Sequence, residues 1–495
     1  MKRTKIVCTI GPASESKSKL TKMVKSGLNV ARLNFSHGSY DNHAVLVKNI
    51  RAVSEKLKTP VGILQDLQGP RIRIGKVAES GIKLKKGKKI ILVHESTKIN
   101  KKDESTIIPI QYAGLYKDVK KGDTILIDDA KIELKILGIK NKRIECQVVI
   151  SNLLTSNRGM NFPDSEITTP PITAKDKEDL KFGVKQGVDF ISLSFVKEAA
   201  DIIALRKMIA TAESRLKHKD QSFKKIKSAT PGPATRTKII AKIERPEAVA
   251  NFDKILAVVD GIMIARGDLG LEIPLEDLPL IQKSIITRCI QVSKPVIVAT
   301  QMLDSMIRFP VPTRAEVSDV ANAILDGTDA IMLSGETATG KYPLRAVRVM
   351  TRIANQVESK EIEKYEKIED TLKKMKGFTA TISFAVQNIA DDLDAKLIAC
   401  ATITGSTARS TAKYRSSIPI VALATSEKSR NQLCLSWGVE PYYLPYSKTF
   451  NQLIISIKRL LLQKKLVQKG DTIVIAASHP IGYLGQTNLV KVEII

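Results

Sequence analysis

The sequence predicts an α/β chain: a (β/α)8 TIM barrel, with a small β-barrel lid domain inserted into it and a C-terminal three-layer α/β domain. Three observations carry that reading. Eight short apolar runs alternate with helical stretches, the runs turn polar only at their last residues, and the alternation breaks once, after the third run.

The runs are KIVCTIG (5–11), VARLNFS (30–36), VGILQDL (61–67), DFISLSF (189–195), KIIAKIE (238–244), GIMIARGD (261–268), PVIVAT (295–300) and AIMLSGE (330–336). Strands buried on both faces need near-continuous hydrophobicity, and parallel strands need helical crossovers. Eight such units close a barrel. Their polar ends, among them Asp66, Ser194, Lys242, Glu244, Asp268, Thr300 and Glu336, then gather at its carboxyl-terminal mouth. Residues 70–168 interrupt the pattern with short β-like runs and lysine-rich turns. An insertion after strand three emerges at the mouth and is placed to act as a lid. The division expected is 1–69 and 169–350 for the barrel, 70–168 for the lid and 351–495 for the last domain. In that last domain KLIACATI, IPIVALAT, DTIVIAAS and LVKVEII read as strands. The polar stretch 218–237 has the composition of an exposed loop and is assigned no function.

Composition narrows the class. With 43% apolar and 26% charged residues over 495 positions, the chain is that of a soluble globular protein. No apolar run approaches the span of a bilayer. The N-terminal apolar run stops at Gly11-Pro12, too short for a secretory signal. Five cysteines without a CxxC pair suit reduced, buried thiols in a cytoplasmic protein. The net charge of +28 would suit nucleic acid or anionic substrates. Against nucleic acid, no aromatic residues interleave with the densest cluster, KLKKGKKI, and the chain has one tryptophan. A lysine-rich solvated surface is the plainer reading, with no nucleic-acid and no membrane partner.

Chemistry gathers at the strand ends. Lys242 and Glu244, two apart, point to one face, and the next strand ends at Asp268. By itself the first pair could be a simple salt bridge. Two carboxylates from adjacent strands also suit Mg²⁺, which keeps other positions for water and substrate. Lys242 beside them would offer a compact charge to a phosphoryl group. Gly267 and Gly270 permit close backbone approach to a ligand, and the RGD there is a chance match to an adhesion motif. Arg32, Asn34 and Ser36 share a face, where an arginine fork suits phosphate. His37 reads equally as a structural histidine or a nucleotide contact. Neither a Walker loop nor a catalytic triad pattern occurs.

The segments RLNFSHG, KIERPEAV, DGIMIARGDLGLEIP, KPVIVATQMLDSM, PTRAEVSDVANAILDGTDAIMLSGETA and TGSTAR resemble those of the pyruvate kinase family, in order and over essentially the whole chain. The resemblance implies glycolytic transfer of the phosphoryl group of phosphoenolpyruvate to ADP, giving pyruvate and ATP. It implies that Arg32 binds the phosphate, Glu244 and Asp268 hold Mg²⁺ (or Mn²⁺), and the backbone at Gly267 and Asp268 receives the substrate carboxylate. Lys242 would stabilise the phosphoryl group in flight. Thr300 would stand near the face where the enolate is protonated, through a water relay, since a hydroxyl is a poor acid. Asn34, Ser36, His37, Arg73 and Arg158 match nucleotide-contacting positions, and a homotetramer is implied.

The stretch QDLQGPRIRIG (65–75) departs from the common pattern. Family members that need K⁺ hold it with an asparagine, a serine, an aspartate and a threonine, with a glutamate close by. Here Asn34, Ser36 and Asp66 match, but the threonine position is Leu67 and the glutamate position is Arg71. With Gln68 and Ile74, this resembles the K⁺-independent branch, with arginine for lysine. A fixed guanidinium supplies permanently the charge a monovalent cation would bring. Activity without K⁺ is therefore expected, the alternative being that Arg71 simply pairs with a lid carboxylate. Two rivals stand beside this reading: another Mg²⁺-dependent barrel enzyme of enolate chemistry, such as an aldolase, and a basic nucleic-acid-binding scaffold. In the last domain, Thr404, Ser406, Thr407 and Arg409 could hold a phosphorylated effector, or form an ordinary helix cap.

Overall fold

The computed structural model describes residues 2–97, 106–219, 236–360, 377–480 and 487–495. Most of the 218–237 loop and the centre of PIGYLGQTN lie outside them. The eight expected barrel strands are all present: β1 (Lys5–Thr9), β2 (Val30–Asn34), β3 (Gly62–Asp66), β4 (Phe190–Leu193), β5 (Lys238–Ile243), β6 (Gly261–Ala265), β7 (Val296–Ala299) and β8 (Ala330–Leu333). They pair in parallel in the order β1-β8-β7-β6-β5-β4-β3-β2, and β1 with β2 closes the ring. Val7, Val30, Leu64, Ile240, Met263 and Ile297 fill the interior. A second apolar layer joins the outer faces of the strands to the surrounding helices. Capping boxes at Thr173–Asp176 and Thr313–Glu316 fix where two of those helices start.

The insertion forms a six-stranded sheet, ordered 160–161, 124–127, 132–140, 143–150, 89–94, 106–110. Its two edges are stitched together by the RIRIG segment. Met160 N–H donates to Ile72 O (2.9 Å), Ile74 N–H to Arg158 O (2.9 Å) and Gly75 N–H to Pro109 O (2.7 Å). The alternation of RIRIG follows from this position. Ile72 and Ile74 enter the lid's apolar core, and Arg71 and Arg73 project the other way.

The last domain holds β9 (Leu397–Thr402), β10 (Ile420–Ala424), β11 (Val439–Tyr443), β12 (Thr472–Ala477) and β13 (Leu489–Ile494), ordered β11-β10-β9-β12-β13. Four are parallel, and β13 is antiparallel to β12. The sequence reading found four of these five. It missed β11, whose Glu440 and Pro441 do not read as a strand, but Pro is tolerated on the edge strand that β11 forms. This domain plugs the barrel floor: Cys434 and Leu435 join the interior cluster, and Lys5 Nζ donates to Val439 O (2.8 Å).

Candidate active site

The barrel mouth contains a cavity of about 150 Å³ whose lining includes Arg32, Asp66, Arg71, Lys242, Glu244 and Asp268. Asn34, Ser36, His37, Arg73 and Thr300 also line it. Residues from β2, β3, β5, β6 and β7 thus meet there because each strand turns polar at the same level.

Lys242 sits at the centre. Its Nζ lies 2.8 Å from Glu244 Oε1, 2.8 Å from Ser194 Oγ and 3.5 Å from Asp66 Oδ1. Burial acts to lower its pKa, but Asp66 and Glu244 outweigh that and raise it, so the ammonium stays charged. Burial acts to raise Asp66, yet Lys242 and Arg32 hold its carboxyl below the usual range. Arg32 is almost fully buried. Its Nε donates to Asp66 Oδ2 (2.9 Å), Nη2 pairs with the same oxygen, and Nη1 donates to Thr9 Oγ1 (2.8 Å). Asp66 therefore aims the fork, and Ser192 Oγ steadies Asp66 from its other oxygen (2.7 Å).

Glu244 Oε2 accepts the Phe195 N–H (2.7 Å), whereas Oε1 faces the Lys242 ammonium (2.8 Å). Burial pushes this carboxyl upward, and neighbouring Lys242 opposes the shift. A buried carboxylate in the same cavity as Asp268 is a donor set that a divalent cation would take up. Among the described residues no group of three or more His, Cys, Asp or Glu side chains converges. Two carboxylates with room for other oxygens fit Mg²⁺ or Mn²⁺ better than a metal needing a full protein cage.

Arg71 reaches Asp268 Oδ1 (3.2 Å) and, more distantly, the exposed lid residue Asp129 (3.7 Å). The lid-carboxylate pairing weighed from the sequence is thus present, at the longer distance, and Arg71 lies nearer to Asp268, a pairing the sequence reading did not foresee. Gly159 makes room for this arginine, since a Cβ there would fall 2.6 Å from Arg71 Nε. Arg73 donates to Asn157 O (3.0 Å), and burial followed by the charge of Arg71 lowers its pKa. Arg158 stands apart from the cavity lining, exposed on the lid, where it donates to Asp128 Oδ1 (3.1 Å) and Thr155 Oγ1 (2.6 Å).

Thr300 has φ +69°, an uncommon conformation for a β-branched residue. Its hydroxyl accepts the Gly267 N–H (2.7 Å) and donates to Ala299 O (2.6 Å). It therefore holds the turn that carries Asp268, and the Gly267 N–H is already engaged. Asn34 Oδ1 accepts the Ser36 N–H (3.1 Å), folding the end of β2 back toward the cavity. His37 is exposed, and its carbonyl contacts His43 Nε2 (2.9 Å), whose ring stacks on Phe35 at 4.0 Å.

Three contacts escaped the sequence reading. Arg266 forms a bidentate pair with Asp319, 2.7 Å at each oxygen, and donates to Thr300 O (3.0 Å). Asn161 Nδ2 in the lid donates to buried Glu272 Oε1 in the barrel (2.8 Å). Only the ARGDLGLEI run, with charges beside two glycines, hinted at Arg266 and Glu272.

The TGSTAR loop leads into the helix Ser406–Ala412 from Gly405, which has φ +84° and gives no side-chain cap. Thr404 Oγ1 and Ser406 Oγ lie 3.0 Å apart, while Thr407 is buried against Thr487 (3.0 Å). Arg409 turns inward to Thr404 O (3.3 Å), away from the loop's outer surface.

Comparison with known proteins decides the family. A model described as "Pyruvate kinase, barrel domain" matches residues 1–347, and one described as "Pyruvate kinase, alpha/beta domain" matches 380–493. The chain belongs to the pyruvate kinase family. It is 42% identical over 497 residues to a pyruvate kinase of Clostridium acetobutylicum, covering 100% of each chain. With that of Geobacillus stearothermophilus it shares 41% identity, covering all of this chain and 80% of the relative. A crystal structure of a pyruvate kinase from Cryptosporidium parvum superposes with TM-score 0.87 at 36% identity, covering 100% of this chain and 96% of that one. The aldolase-like and nucleic-acid-binding readings fall away with these matches.

Proposed function

We propose that this pyruvate kinase transfers the phosphoryl group of phosphoenolpyruvate to ADP with Mg²⁺ or Mn²⁺, as a glycolytic enzyme of the cytoplasm, and needs no K⁺. The observation that carries the reading is Lys242, held charged between Asp66 and Glu244. A divalent ion held by Glu244 and Asp268 would polarise phosphoryl and enolate oxygens when bound. Arg32, aimed by Asp66, would grip the phosphate, and Lys242 would face its charge as it passes to ADP. Arg73, with the Asn34, Ser36 and His37 turn, is placed for the nucleotide; Arg158 would have to leave Asp128 to join it. Thr300 would fix the Asp268 turn and order a proton-carrying water, since its own hydroxyl is occupied by backbone groups.

Independence from K⁺ rests on Arg71, whose charge stands beside Asp268. The cytoplasmic assignment is supported by five free, buried cysteines. No helix among the described residues is long and apolar enough to cross a membrane. Exposed Leu275, Leu280, Phe309 and Val311, together with the edge strand β13, support a homotetramer, which light scattering would test. The Thr404 and Ser406 hydroxyls support a phosphorylated effector at that loop, which titration with sugar phosphates and nucleotides would test. The deciding assay is pyruvate formation from phosphoenolpyruvate and ADP with Mg²⁺, first without K⁺ and then with it. Full turnover without K⁺ is expected. Turnover only with K⁺ would keep the enzyme and remove Arg71's assignment.

A further inference from the structure

Strands β4 and β5 are neighbours in the barrel, and the segments that leave them meet at Phe195. Glu244 Oε2 accepts the Phe195 N–H (2.7 Å), while the Arg245 guanidinium lies over the Phe195 ring, 5.5 Å from its centroid. Successive residues of an extended chain point to opposite sides. Here both still reach Phe195, one through its backbone and one through its ring.

Phe195 needs such holding. Its φ of +56° lies in the left-handed region, a genuine outlier for a bulky side chain. A residue in that state persists only where its surroundings over-determine it. Gly69 makes room for the ring, since a Cβ there would fall 3.0 Å from Phe195 Cδ2. The turn also lines the mouth cavity beside Glu244. A relaxed Phe195 would turn its N–H away and free the Glu244 carboxylate to rotate.

Arg245 is poorly explained as a prop for the fold. It is buried, yet among the described residues its Nε has no hydrogen-bond partner, and its ion pair with Glu247 is long at 3.9 Å. Burying a charge with so few partners is unfavourable. A cation over an aromatic face offsets part of that cost where water is excluded. Its charge also opposes the upward shift that burial gives Glu272, which receives Asn161 of the lid.

We propose that Arg245 is a positioning residue for the divalent-ion site: it clamps the Phe195 turn, whose N–H then fixes the direction of Glu244. Arg245 itself stands outside the cavity lining, so it acts only through Phe195. The proposal rests on the reading of Glu244 as a ligand of that ion.

The test measures Mn²⁺ binding to the full chain without substrate, by electron paramagnetic resonance of the free ion. Parent, Arg245→Met and Glu244→Gln are compared. The sign separates the roles. Coulomb's law alone predicts that removing a cation near the carboxylates tightens Mn²⁺ binding. Loss of positioning predicts that Arg245→Met weakens it at least about tenfold, the scale for a group that orients a metal ligand. Hydrogen–deuterium exchange of the peptide carrying Phe195 should quicken in the same variant. Glu244→Gln must weaken Mn²⁺ as well. If it does not, the metal assignment falls, and the proposal with it. If Glu244→Gln weakens Mn²⁺ while Arg245→Met falls short of its tenfold loss, or tightens binding, the proposal alone falls. Unchanged exchange at Phe195 overturns it too. Arg245→Lys keeps the charge and loses the flat stacking face. It repeats the test should Arg245→Met fail to fold, because weakening there cannot come from a lost charge.

Discussion

Arg71 lies 3.2 Å from Asp268 Oδ1 and 3.7 Å from Asp129 Oδ1, so one guanidinium faces both the barrel mouth and the lid. If that charge stands in for a monovalent cation, reversing it should restore the requirement. Arg71→Glu is expected to lose on the order of a hundredfold in kcat without K⁺, the scale of a lost electrostatic stabiliser, and to recover part of it when K⁺ is added. Arg71→Lys should stay active in both buffers. Steady-state assays with and without K⁺ decide it, and a K⁺-indifferent Arg71→Glu would remove the assignment.

Gly159 offers an independent way to move the same arginine. Its φ is not in the left-handed region, so alanine fits the backbone, yet its Cβ would fall 2.6 Å from Arg71 Nε. Gly159→Ala should change stability by no more than about 1 kcal/mol while lowering K⁺-free turnover and shifting the Mg²⁺ titration. A variant with unchanged Mg²⁺ dependence would mean that the position of Arg71 is not critical.

Lys242 balances the charges of Asp66 and Glu244 and, in the function proposed, faces the phosphoryl group. Lys242→Met leaves Glu244 and Asp66 buried with less compensation, and breaking such a cluster costs about 3–5 kcal/mol. We expect kcat to fall at least about a thousandfold, the scale of a charge lost from phosphoryl transfer. Thermal melts should show the destabilisation, partly reversed by Mg²⁺ as Glu244 regains a positive partner. A loss of kcat below tenfold would assign the phosphoryl contact elsewhere.

Glu272 gives a pH signature at the seam between lid and barrel. Burial raises its carboxyl above the ordinary 4.5, with the Asn161 hydrogen bond opposing. The folded state therefore binds this proton more tightly than the unfolded chain. Its contribution is most favourable at and below pH 4.5 and is lost as pH rises through the raised value. Glu272→Gln mimics the protonated form and can still accept from Asn161. The stability difference, variant minus parent, should grow with pH across that window by less than about 1.4 kcal/mol per unit. A flat difference in urea midpoints between pH 4.5 and 7 would show that this carboxyl does not titrate there.

The barrel was legible because a strand buried on both faces cannot hide its composition. Runs such as KIIAKIE are apolar through their centre and turn polar at the mouth, where their last residues line the cavity. Lys242, Glu244 and Asp268 were readable for that reason. The lid was read only as β-rich, because its closure depends on Ile72 and Ile74 pairing with edges near residues 110 and 159, a register no local pattern encodes. Glu440 and Pro441 hid β11, since an edge strand tolerates residues that argue against a strand. The inward turn of Arg409 was equally invisible: a basic residue on a loop declares its charge but not the side on which it lies.

The lid's apolar cluster, built around Ile90, Ile108, Ile125 and Leu134, shares no member with the cluster that packs the barrel. Swinging the lid therefore need not expose either interior to water. The resistance comes from a few polar links across the seam: Asn161 with Glu272, Lys197 with Ile167 O, and Arg71 with Asp268. At about 1 kcal/mol net for each hydrogen bond, opening costs only a small multiple of thermal energy. Opening the lid would therefore break polar links and leave both apolar clusters packed.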